Sequence, residues 1–405
     1  MNIIVHRGFR QIGGNIIEIS TDHTHLLVDA GIELNGDQHP VDLNNILEAT
    51  HFDAILISHY HADHVELLNQ IHDLPPVYFG HKAFQVYRKA KEYTGQSVGF
   101  TSSYWLENNS SFQIGDICIT PYLADHSAID SYSFLFEADR KKVLYTSDFR
   151  GSGWKSFDRY IHALPEKVDA VICEGTTLSR DAVRNVCEAD LANQIYEKIK
   201  GCNDQVFILL SAMNLDRIVT AYKAAKKCNR IFLQDLYTAE LTSECRDVHI
   251  PNPLSFADTF AFTCMGLSEE GYLSAKQRYK HKFLGREQVA KKKYCMCIRS
   301  SRAMLSYLQK LNAVSPLNGS ILIYSIWNGY QQQPAMQHFL TEVSQMGVSI
   351  SSFHTSGHAD SHDIRRLISR INPSVIIPIH TENENWFIRE YGGKCAIHTN
   401  GVCEV

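Results

Sequence analysis

Three histidines and one aspartate lie within six residues of this chain, at His59, His61, Asp63 and His64. Imidazole and carboxylate groups together are ligands that suit Zn²⁺ or Mn²⁺. His59 and His61 are two residues apart and can converge on one ion, while Asp63 and His64 point toward a second. A histidine-rich surface loop is the alternative interpretation, but the fixed spacing of the four residues favours a metal site.

A short apolar run at residues 54–57 comes directly before this cluster and is typical of a buried strand. The four ligands would then lie on the turn at its carboxyl end. Two ions need more than four ligands, and further polar residues follow other apolar strands in the same way. They are His126, Asp148 and His380. Taken alone, each of these is better explained as an ordinary core or loop residue.

The rest of the hydrophobic pattern predicts an α/β fold. The strands expected ahead of the cluster are residues 3–6, 14–20 and 25–29. An amphipathic helix is expected over about 63–72. After about residue 181, helices and strands alternate regularly, which indicates an α/β unit with a parallel sheet. The chain is predicted to close with a hairpin near 395–405.

Length and composition describe an ordinary globular protein. The 405 residues suffice for two or three domains, or for one large domain with an insertion. Eleven scattered cysteines form no disulfide framework, the first residues lack a signal-peptide core, and no apolar run reaches the length of a membrane span. We therefore expect a cytoplasmic protein with no membrane partner.

The net charge of −5 argues against a protein that coats nucleic acid over its whole surface. The charge is unevenly spread, however, because ten Lys or Arg lie between Lys276 and Arg302 against a single Glu287. The basic residues are Lys276, Arg278, Lys280, Lys282, Arg286, Lys291, Lys292, Lys293, Arg299 and Arg302. A solvated helical face and a track for a polyanion are both compatible with this stripe.

The chain resembles the metallo-β-lactamase superfamily in the order of its predicted ligands. The cluster at His59–His64 comes first, followed by the separate His126, then Asp148 and finally His380. Gly13-Gly14-Asn15 and the segment from Leu26 to Gly31 are also similar to the opening strands of that fold. Within the superfamily the chain resembles the β-CASP nucleases, and ribonuclease J most of all. Three further motifs carry this resemblance: Cys173-Glu174-Gly175-Thr176-Thr177, His354-Thr355-Ser356-Gly357-His358-Ala359 and Pro378-Ile379-His380-Thr381-Glu382.

The resemblance implies a metallo-β-lactamase αββα sandwich with an inserted α/β β-CASP domain. Residues 1–184 and 348–405 would form the split metallo-β-lactamase domain, and residues 185–347 the insertion. The sequence ends soon after the last motif, without the C-terminal domain of ribonuclease J. This leaves the mode of dimerisation open, with a homodimer as one expectation.

The resemblance also implies two divalent ions, with Zn²⁺ expected and Mn²⁺ as the alternative. His59, His61 and His126 would hold the first ion, Asp63, His64 and His380 the second, and Asp148 would bridge them. The implied catalytic residues are Asp63, Glu174 and His358, with His358 as the general acid oriented by Glu174. His354, Ser356 and His358 would bind the 5′-phosphate of RNA, although shaping the turn before Gly357 is an alternative role for this segment.

These implications predict a metal-dependent ribonuclease acting on single-stranded RNA, as a 5′-to-3′ exonuclease, an endonuclease or both. A DNA nuclease of the same family is one alternative. A small-molecule hydrolase such as a lactonase or thioesterase would explain the metal motif but not the insertion, Glu174 or His358. A silent nucleic-acid-binding subunit would be expected to have lost ligands, and the seven expected here are present.

Overall fold

The computed structural model describes residues 1–34, 41–180, 184–265, 268–396 and 402–404. The chain divides into two compact units, one formed by residues 1–185 and 356–405 and the other by residues 186–355. No helix in the described ranges is both long and apolar enough to cross a membrane.

Strands and helices alternate along most of the described chain. The strands are β1 (Asn2–Arg7), β2 (Ile16–Ser20), β3 (His25–Val28), β4 (Ala54–Leu56), β5 (Val77–Gly80), β6 (Tyr104–Leu106), β7 (Phe112–Ile114), β8 (Ile117–Leu123), β9 (Tyr132–Ala138), β10 (Lys141–Tyr145), β11 (Ala170–Glu174), β12 (Val206–Leu209), β13 (Ile231–Asp235), β14 (Thr259–Phe262), β15 (Tyr294–Ile298), β16 (Ile321–Tyr324), β17 (Ser349–Ser352), β18 (Val375–Ile379) and β19 (Val402–Glu404). The helices are α1 (Leu43–Ala49), α2 (Ala62–Val65), α3 (His81–Tyr93), α4 (Phe157–Ala163), α5 (Glu188–Ile199), α6 (Leu215–Lys227), α7 (Leu236–Glu244), α8 (Glu269–Tyr279), α9 (Arg286–Ala290), α10 (Arg302–Val314), α11 (Pro334–Gln345), α12 (Ser361–Ile371) and α13 (Glu384–Tyr391).

The first unit is built on two sheets, ordered β19-β1-β2-β3-β4-β5-β6 and β18-β11-β10-β9-β8-β7. Their inner faces share one core, in which Leu26 and Val28 of β3 pack with Phe134 and Phe136 of β9. The outer face of the second sheet packs against α4, α12 and α13 in a separate apolar cluster. Because both faces of this sheet are covered, its central strands β9 and β11 are buried along most of their length, as in other sheets buried on both sides.

The second unit contains one parallel sheet, ordered β14-β13-β15-β12-β16-β17. Its core joins apolar residues of β12, β15 and β16 to those of α10 and α11. Strand β17 pairs with β16. The unit therefore extends to residue 355, whereas the sequence prediction placed the end of the insertion at residue 347.

One local prediction differs from the structure. The helix expected over 63–72 is replaced by the one-turn α2 and a 3-10 helix at Glu66–Gln70. The hairpin expected near 395–405 falls largely outside the described residues, because residues 397–401 and 405 are not described. The described strand β19 pairs antiparallel with β1 at the opposite end of the chain.

Candidate metal centre

The seven predicted ligands come together at the ends of strands in the first unit. The cluster from His59 to His64 follows β4, and His126 follows β8. Asp148 follows β10, and His380 is the residue directly after β18. His380 has a positive φ of 50°, an uncommon conformation for a residue with a Cβ that is typical of turns at functional sites.

Three histidine nitrogens converge on one point. His61 Nδ1 lies 3.1 Å from His59 Nε2 and 3.1 Å from His126 Nε2. Two ligands of a tetrahedral zinc ion, each about 2.0–2.1 Å from the metal, are separated by roughly 3.3 Å. Asp148 Oδ2 lies 3.7 Å from His59 Nε2 and 3.9 Å from His126 Nε2. These four atoms have the spacing of one metal coordination shell.

A second group of ligands shares the same aspartate. His380 Nε2 lies 3.1 Å from Asp63 Oδ2 and 3.8 Å from Asp148 Oδ1. His64 Nε2 lies 3.3 Å from Asp148 Oδ2 and 3.9 Å from Asp63 Oδ2. Oδ2 of Asp148 therefore faces nitrogens of both groups and Oδ1 faces His380, so this one carboxylate lies between the two groups.

The polar atoms of this centre fit bound cations. His64 Nε2 and both carboxylate oxygens of Asp148 are buried and make no hydrogen bond to any residue that the structure describes. Buried polar atoms without partners are rare in folded proteins and destabilise them. Neutral imidazole nitrogens about 3 Å apart also direct lone pairs toward one another, which a bound metal would relieve. We conclude that the donor set fits bound metal ions.

The protonation states of the ligands agree with this fit. Burial and the neighbouring imidazoles lower the pKa of His59 far below its usual range, and burial lowers the pKa of His61 to about 4. Burial alone would raise the pKa of Asp63, but the adjacent imidazoles outweigh it and hold that pKa at about 2. Neutral imidazoles and ionised carboxylates are the forms that bind metals.

His64 behaves differently from the other histidines of the site. Burial acts to lower its pKa, but the carboxylates of Asp148, Asp29 and Asp63 outweigh burial and raise it well above the usual value. A proton on this ring and a metal ion beside it would satisfy the same three negative charges. We therefore expect metal binding at His64 to displace a proton.

Asp29 orients the histidine that the sequence places at the second ion. Its Oδ2 lies 2.7 Å from His64 Nδ1 and accepts hydrogen bonds from Ser58 Oγ at 2.8 Å and Tyr145 Oη at 2.6 Å. The backbone N–H of Ser58 donates to Oδ1 of the same carboxylate. A carboxylate on the far nitrogen of a ligand histidine fixes the ring and its tautomer.

A second carboxylate, Glu174, holds the opposite side of the site. Its Oε1 accepts the backbone N–H groups of Phe149 and Ala359, at 3.0 and 3.3 Å. Its Oε2 accepts the Thr176 hydroxyl at 2.6 Å, and that hydroxyl lies 2.8 Å from His380 Nδ1. The side chain of Glu174 therefore reaches a predicted metal ligand through one intervening hydroxyl.

His358, the predicted acid, lies beside both Glu174 and the metal ligands. Its Nδ1 is 3.4 Å from Glu174 Oε2 and 3.6 Å from Asp148 Oδ2. Burial acts to lower its pKa, but the Glu174 and Asp148 carboxylates outweigh burial and raise the pKa to about 9. The side chain is 22% exposed, so the ring is accessible from outside the site.

The predicted phosphate-binding residues are distributed over the two units. Ser356 belongs to the first unit, where its Oγ accepts the backbone N–H of His358 at 3.1 Å and its carbonyl accepts Arg150 Nη1 at 3.0 Å. His354 belongs to the second unit, where its Nδ1 lies 3.2 Å from Arg217 Nη1. The Ser356 hydroxyl bond is the contact expected of a residue that shapes the turn at Gly357.

Sequence reasoning did not assign roles to Asp29, Tyr145 and Thr176. Asp29 directly follows β3, so it carries the same signal as the predicted ligands: a polar residue just past an apolar strand. Thr176 follows β11 by two residues and carries the same signal, whereas Tyr145 does not. Tyr145 lies at the end of a buried strand and Thr176 in a turn, and only the tertiary structure brings their hydroxyls to Asp29 and Glu174.

Comparison with protein families agrees with this geometry. Residues 24–210 match the model of the beta-lactamase superfamily domain, and residues 346–387 match that of the Zn-dependent metallo-hydrolase RNA specificity domain. The first match contains six of the seven predicted ligands, and the second contains His358 and His380. The chain belongs to the metallo-β-lactamase superfamily. The predicted fold class, a metallo-β-lactamase sandwich with a β-CASP insertion, is confirmed.

Similar proteins extend the match over the whole length of this metallo-β-lactamase chain. Ribonuclease J of Mycoplasma pneumoniae is 22% identical over 446 aligned positions, which cover 99% of the chain and 71% of that protein. Exodeoxyribonuclease YycJ of Bacillus anthracis is 25% identical over 143 positions, covering 33% of the chain and 50% of that protein. A crystal structure of a protein of unknown function from Enterococcus faecalis superposes with a TM-score of 0.79 at 18% identity, covering 100% and 99% of the two chains.

Proposed function

We propose that this protein is a two-metal-dependent ribonuclease that hydrolyses phosphodiester bonds of single-stranded RNA. The observation that carries the proposal is the convergence of seven ligating side chains in two groups that share Asp148, with His358 directly beside them. The match of residues 346–387 to an RNA specificity domain supports RNA as the substrate. The distant similarity to ribonuclease J along nearly the whole chain supports it further.

Each ligand has a defined place in this proposal. His59, His61 and His126 would hold one divalent ion, Asp63, His64 and His380 would hold the other, and Asp148 would be shared by both. Zn²⁺ suits this set, and Mn²⁺ is the alternative. When bound, such a pair of ions lowers the pKa of a shared water toward neutrality and neutralises charge on a phosphodiester.

His358 supplies the proton that the departing alkoxide needs. Its Nδ1 faces Glu174 and Asp148, so the opposite nitrogen, Nε2, is the atom that can deliver a proton to substrate. Although burial acts to lower it, the two carboxylates raise the pKa of the ring to about 9 in the protein without bound ions, which favours the protonated form. Glu174 orients the ring and stabilises its positive charge, and four donor groups hold that carboxylate in place. Proton transfer of this kind contributes about 10²–10⁴-fold to rate.

We also propose that His354 and Ser356 bind the 5′-phosphate of the RNA. The Ser356 hydroxyl accepts the N–H of His358, which leaves its own hydrogen to donate to a phosphate oxygen. An imidazole and a hydroxyl are suitable donors to a terminal phosphate. A preference for 5′-monophosphorylated RNA would follow, and exonucleolytic and internal cleavage remain alternatives.

A DNA nuclease is the second candidate function. The similarity of 143 aligned positions to an exodeoxyribonuclease supports it. The metal ligands, His358 and Glu174 would act on either polymer, because the reacting phosphodiester is the same in both. Only recognition of the 2′-hydroxyl separates RNA from DNA substrates.

The decisive experiment compares cleavage of a 5′-labelled single-stranded RNA and a DNA of the same sequence by the metal-loaded protein. We expect RNA to be cleaved, Asp148→Ala to abolish cleavage, and His358→Ala to slow it about 10²–10⁴-fold. His338→Ala, an exposed histidine of α11, is the matched control and should cleave normally. Preferred cleavage of DNA would support the second candidate. Cleavage of neither polymer, with two bound ions confirmed by elemental analysis, would contradict both, and lactones and thioesters would then be tested.

A further inference from the structure

Basic residues from three separate segments meet at one edge of the parallel sheet in the second unit. Strands β12, β13 and β15 are neighbours, and a basic segment precedes each of them. The segments are residues 200–204, 223–230 and 291–294. Together they hold eight Lys or Arg and a single carboxylate, Asp204, on a chain whose net charge is −5. This local excess of positive charge contrasts with the net negative charge of the whole chain.

Arg230 fixes the three segments to one another. Its side chain is buried and donates to the carbonyls of Cys202 at 2.5 Å, Asp204 at 2.8 Å and Tyr294 at 3.2 Å. The backbone N–H of Ile231 also donates to the carbonyl of Lys293 at 3.2 Å. The lysines at the ends of these segments are therefore held near one another by buried hydrogen bonds.

The lysines themselves are exposed. We define the amino-edge basic surface as Lys200, Lys226, Lys227, Lys291, Lys292 and Lys293, all of which are exposed side chains. Tyr196 lies among them, with the Nζ atoms of Lys227 and Lys200 at 5.5 and 5.9 Å from its ring centroid. Glu197 pairs with Lys200, and the other five lysines have no carboxylate partner among the described residues.

Two arginines of the basic stripe at residues 276–302, unlike those five lysines, have carboxylate partners. Arg278 is paired with Glu240 at 3.2 Å and with Glu244 at 3.9 Å. Arg299 is paired with Asp235 and lies over the ring of Tyr237. The stripe seen in the sequence is therefore not one continuous track. Only its lysines at 291–293 join the basic residues that α5 and α6 bring to the same edge.

We propose that the amino-edge basic surface binds the phosphodiester backbone of single-stranded RNA. The proposal takes RNA as the occupant from the proposed function. Charge complementarity supports it, because clustered lysines release counterions from a polyanion and gain affinity by doing so. The tyrosine among the lysines offers a ring on which a base can stack, as in other proteins that bind single strands without sequence preference.

The test measures RNA binding as a function of salt in the Asp148→Ala background, where cleavage does not interfere. A fluorescent single-stranded RNA is titrated with protein at several KCl concentrations, and the slope of log K against log[KCl] is compared between variants. For K291Q/K292Q/K293Q we expect a slope shallower by about 2, since each phosphate contact to a single strand contributes about 0.7.

The matched control is K276Q/K280Q/R286Q, which removes the same charge from exposed positions of the same stripe. Its slope should equal that of the parent, and thermal melting should show both triple variants folded. An unchanged slope in K291Q/K292Q/K293Q, or an equal reduction in the control, would overturn the proposal. Because binding is measured without cleavage, failure of the wild-type protein to cleave RNA would count against the proposed function alone.

Discussion

One hydroxyl hydrogen determines how Thr176 connects Glu174 to His380. The Thr176 Oγ1 atom lies 2.6 Å from a carboxylate oxygen of Glu174 and 2.8 Å from His380 Nδ1. The charged carboxylate is the stronger acceptor, so the hydroxyl donates to Glu174 and accepts from His380. The proton of His380 is then on Nδ1, and its Nε2 is available to a metal ion.

We therefore expect Thr176→Val to weaken the second metal site. Valine has nearly the same shape but lacks the hydroxyl, so the His380 ring loses the contact that fixes its orientation and tautomer. Loss of such an outer contact costs about 10–100-fold in metal affinity. Competition titration of Zn²⁺ against a chromophoric chelator would measure the affinity of each site.

Thr176→Ser is the control for this variant because it keeps the hydroxyl, and it should bind both ions as the wild type does. The first site, proposed at His59, His61 and His126, should be unaffected in both variants. Equal weakening of both sites in Thr176→Val would indicate general damage to the fold. Unchanged binding of both ions would contradict the role of the hydroxyl.

At the scale of the element, tertiary hydrogen bonds replace those of the predicted helix after the ligand cluster. The carbonyls of Asp63 and His64 accept the backbone N–H groups of Asn15 and Ala30, at 3.1 and 2.7 Å. The N–H of Leu67 donates in turn to the carbonyl of Ala30 at 3.0 Å. A regular α-helix would need these groups for its own i to i−4 bonds. Periodicity alone shows no sign of such competition.

The same contact makes Gly31 a critical residue. A Cβ at this position would lie 1.7 Å from the carbonyl oxygen of Asp63 and 2.4 Å from the backbone nitrogen of His64. Both are backbone atoms of Asp63 and His64, so they cannot move without displacing these two predicted ligands. The chain can approach the cluster this closely only because residue 31 has no side chain.

We expect Gly31→Ala to destabilise the protein by about 3 kcal/mol or more, since overpacking against backbone is costly. Denaturant unfolding followed by tryptophan fluorescence would measure the change. Gly201→Ala is the matched control, because a Cβ there meets no atom within 4 Å. The control should change stability by less than about 1 kcal/mol. Equal stabilities for the two variants would contradict the close approach of the two segments.

At the scale of the whole molecule, the sequence predicts the positions of the ligands better than their supporting contacts. The rule that polar residues follow apolar strands locates His126, Asp148 and His380 correctly at strand ends, although Asp63 and His380 are 317 residues apart. The amino-edge basic surface, by contrast, could not be predicted from the sequence. Its segments are separated along the chain, and only the order of the parallel strands brings them to one edge.

The separate cores of the two units lead to a prediction about metal removal. All seven predicted ligands lie in the first unit, and the apolar clusters of the two units share no residues. A ligand that binds only the folded state stabilises it by about 4 kcal/mol when present at about a thousand times its dissociation constant. We expect that stabilisation to act on the first unit, because its buried histidines and Asp148 lose their partners when the ions leave.

Hydrogen exchange followed by mass spectrometry would measure this effect peptide by peptide on the whole chain, with and without a chelator. Removal of the ions should speed exchange in β4, β10 and β18 and leave β12 and β15 unchanged. Asp148→Ala with metal present should give the same pattern, because it removes the bridging ligand without a chelator. Equally faster exchange in both units would show that the ions stabilise the chain as one cooperative body, and would contradict two separately stabilised cores.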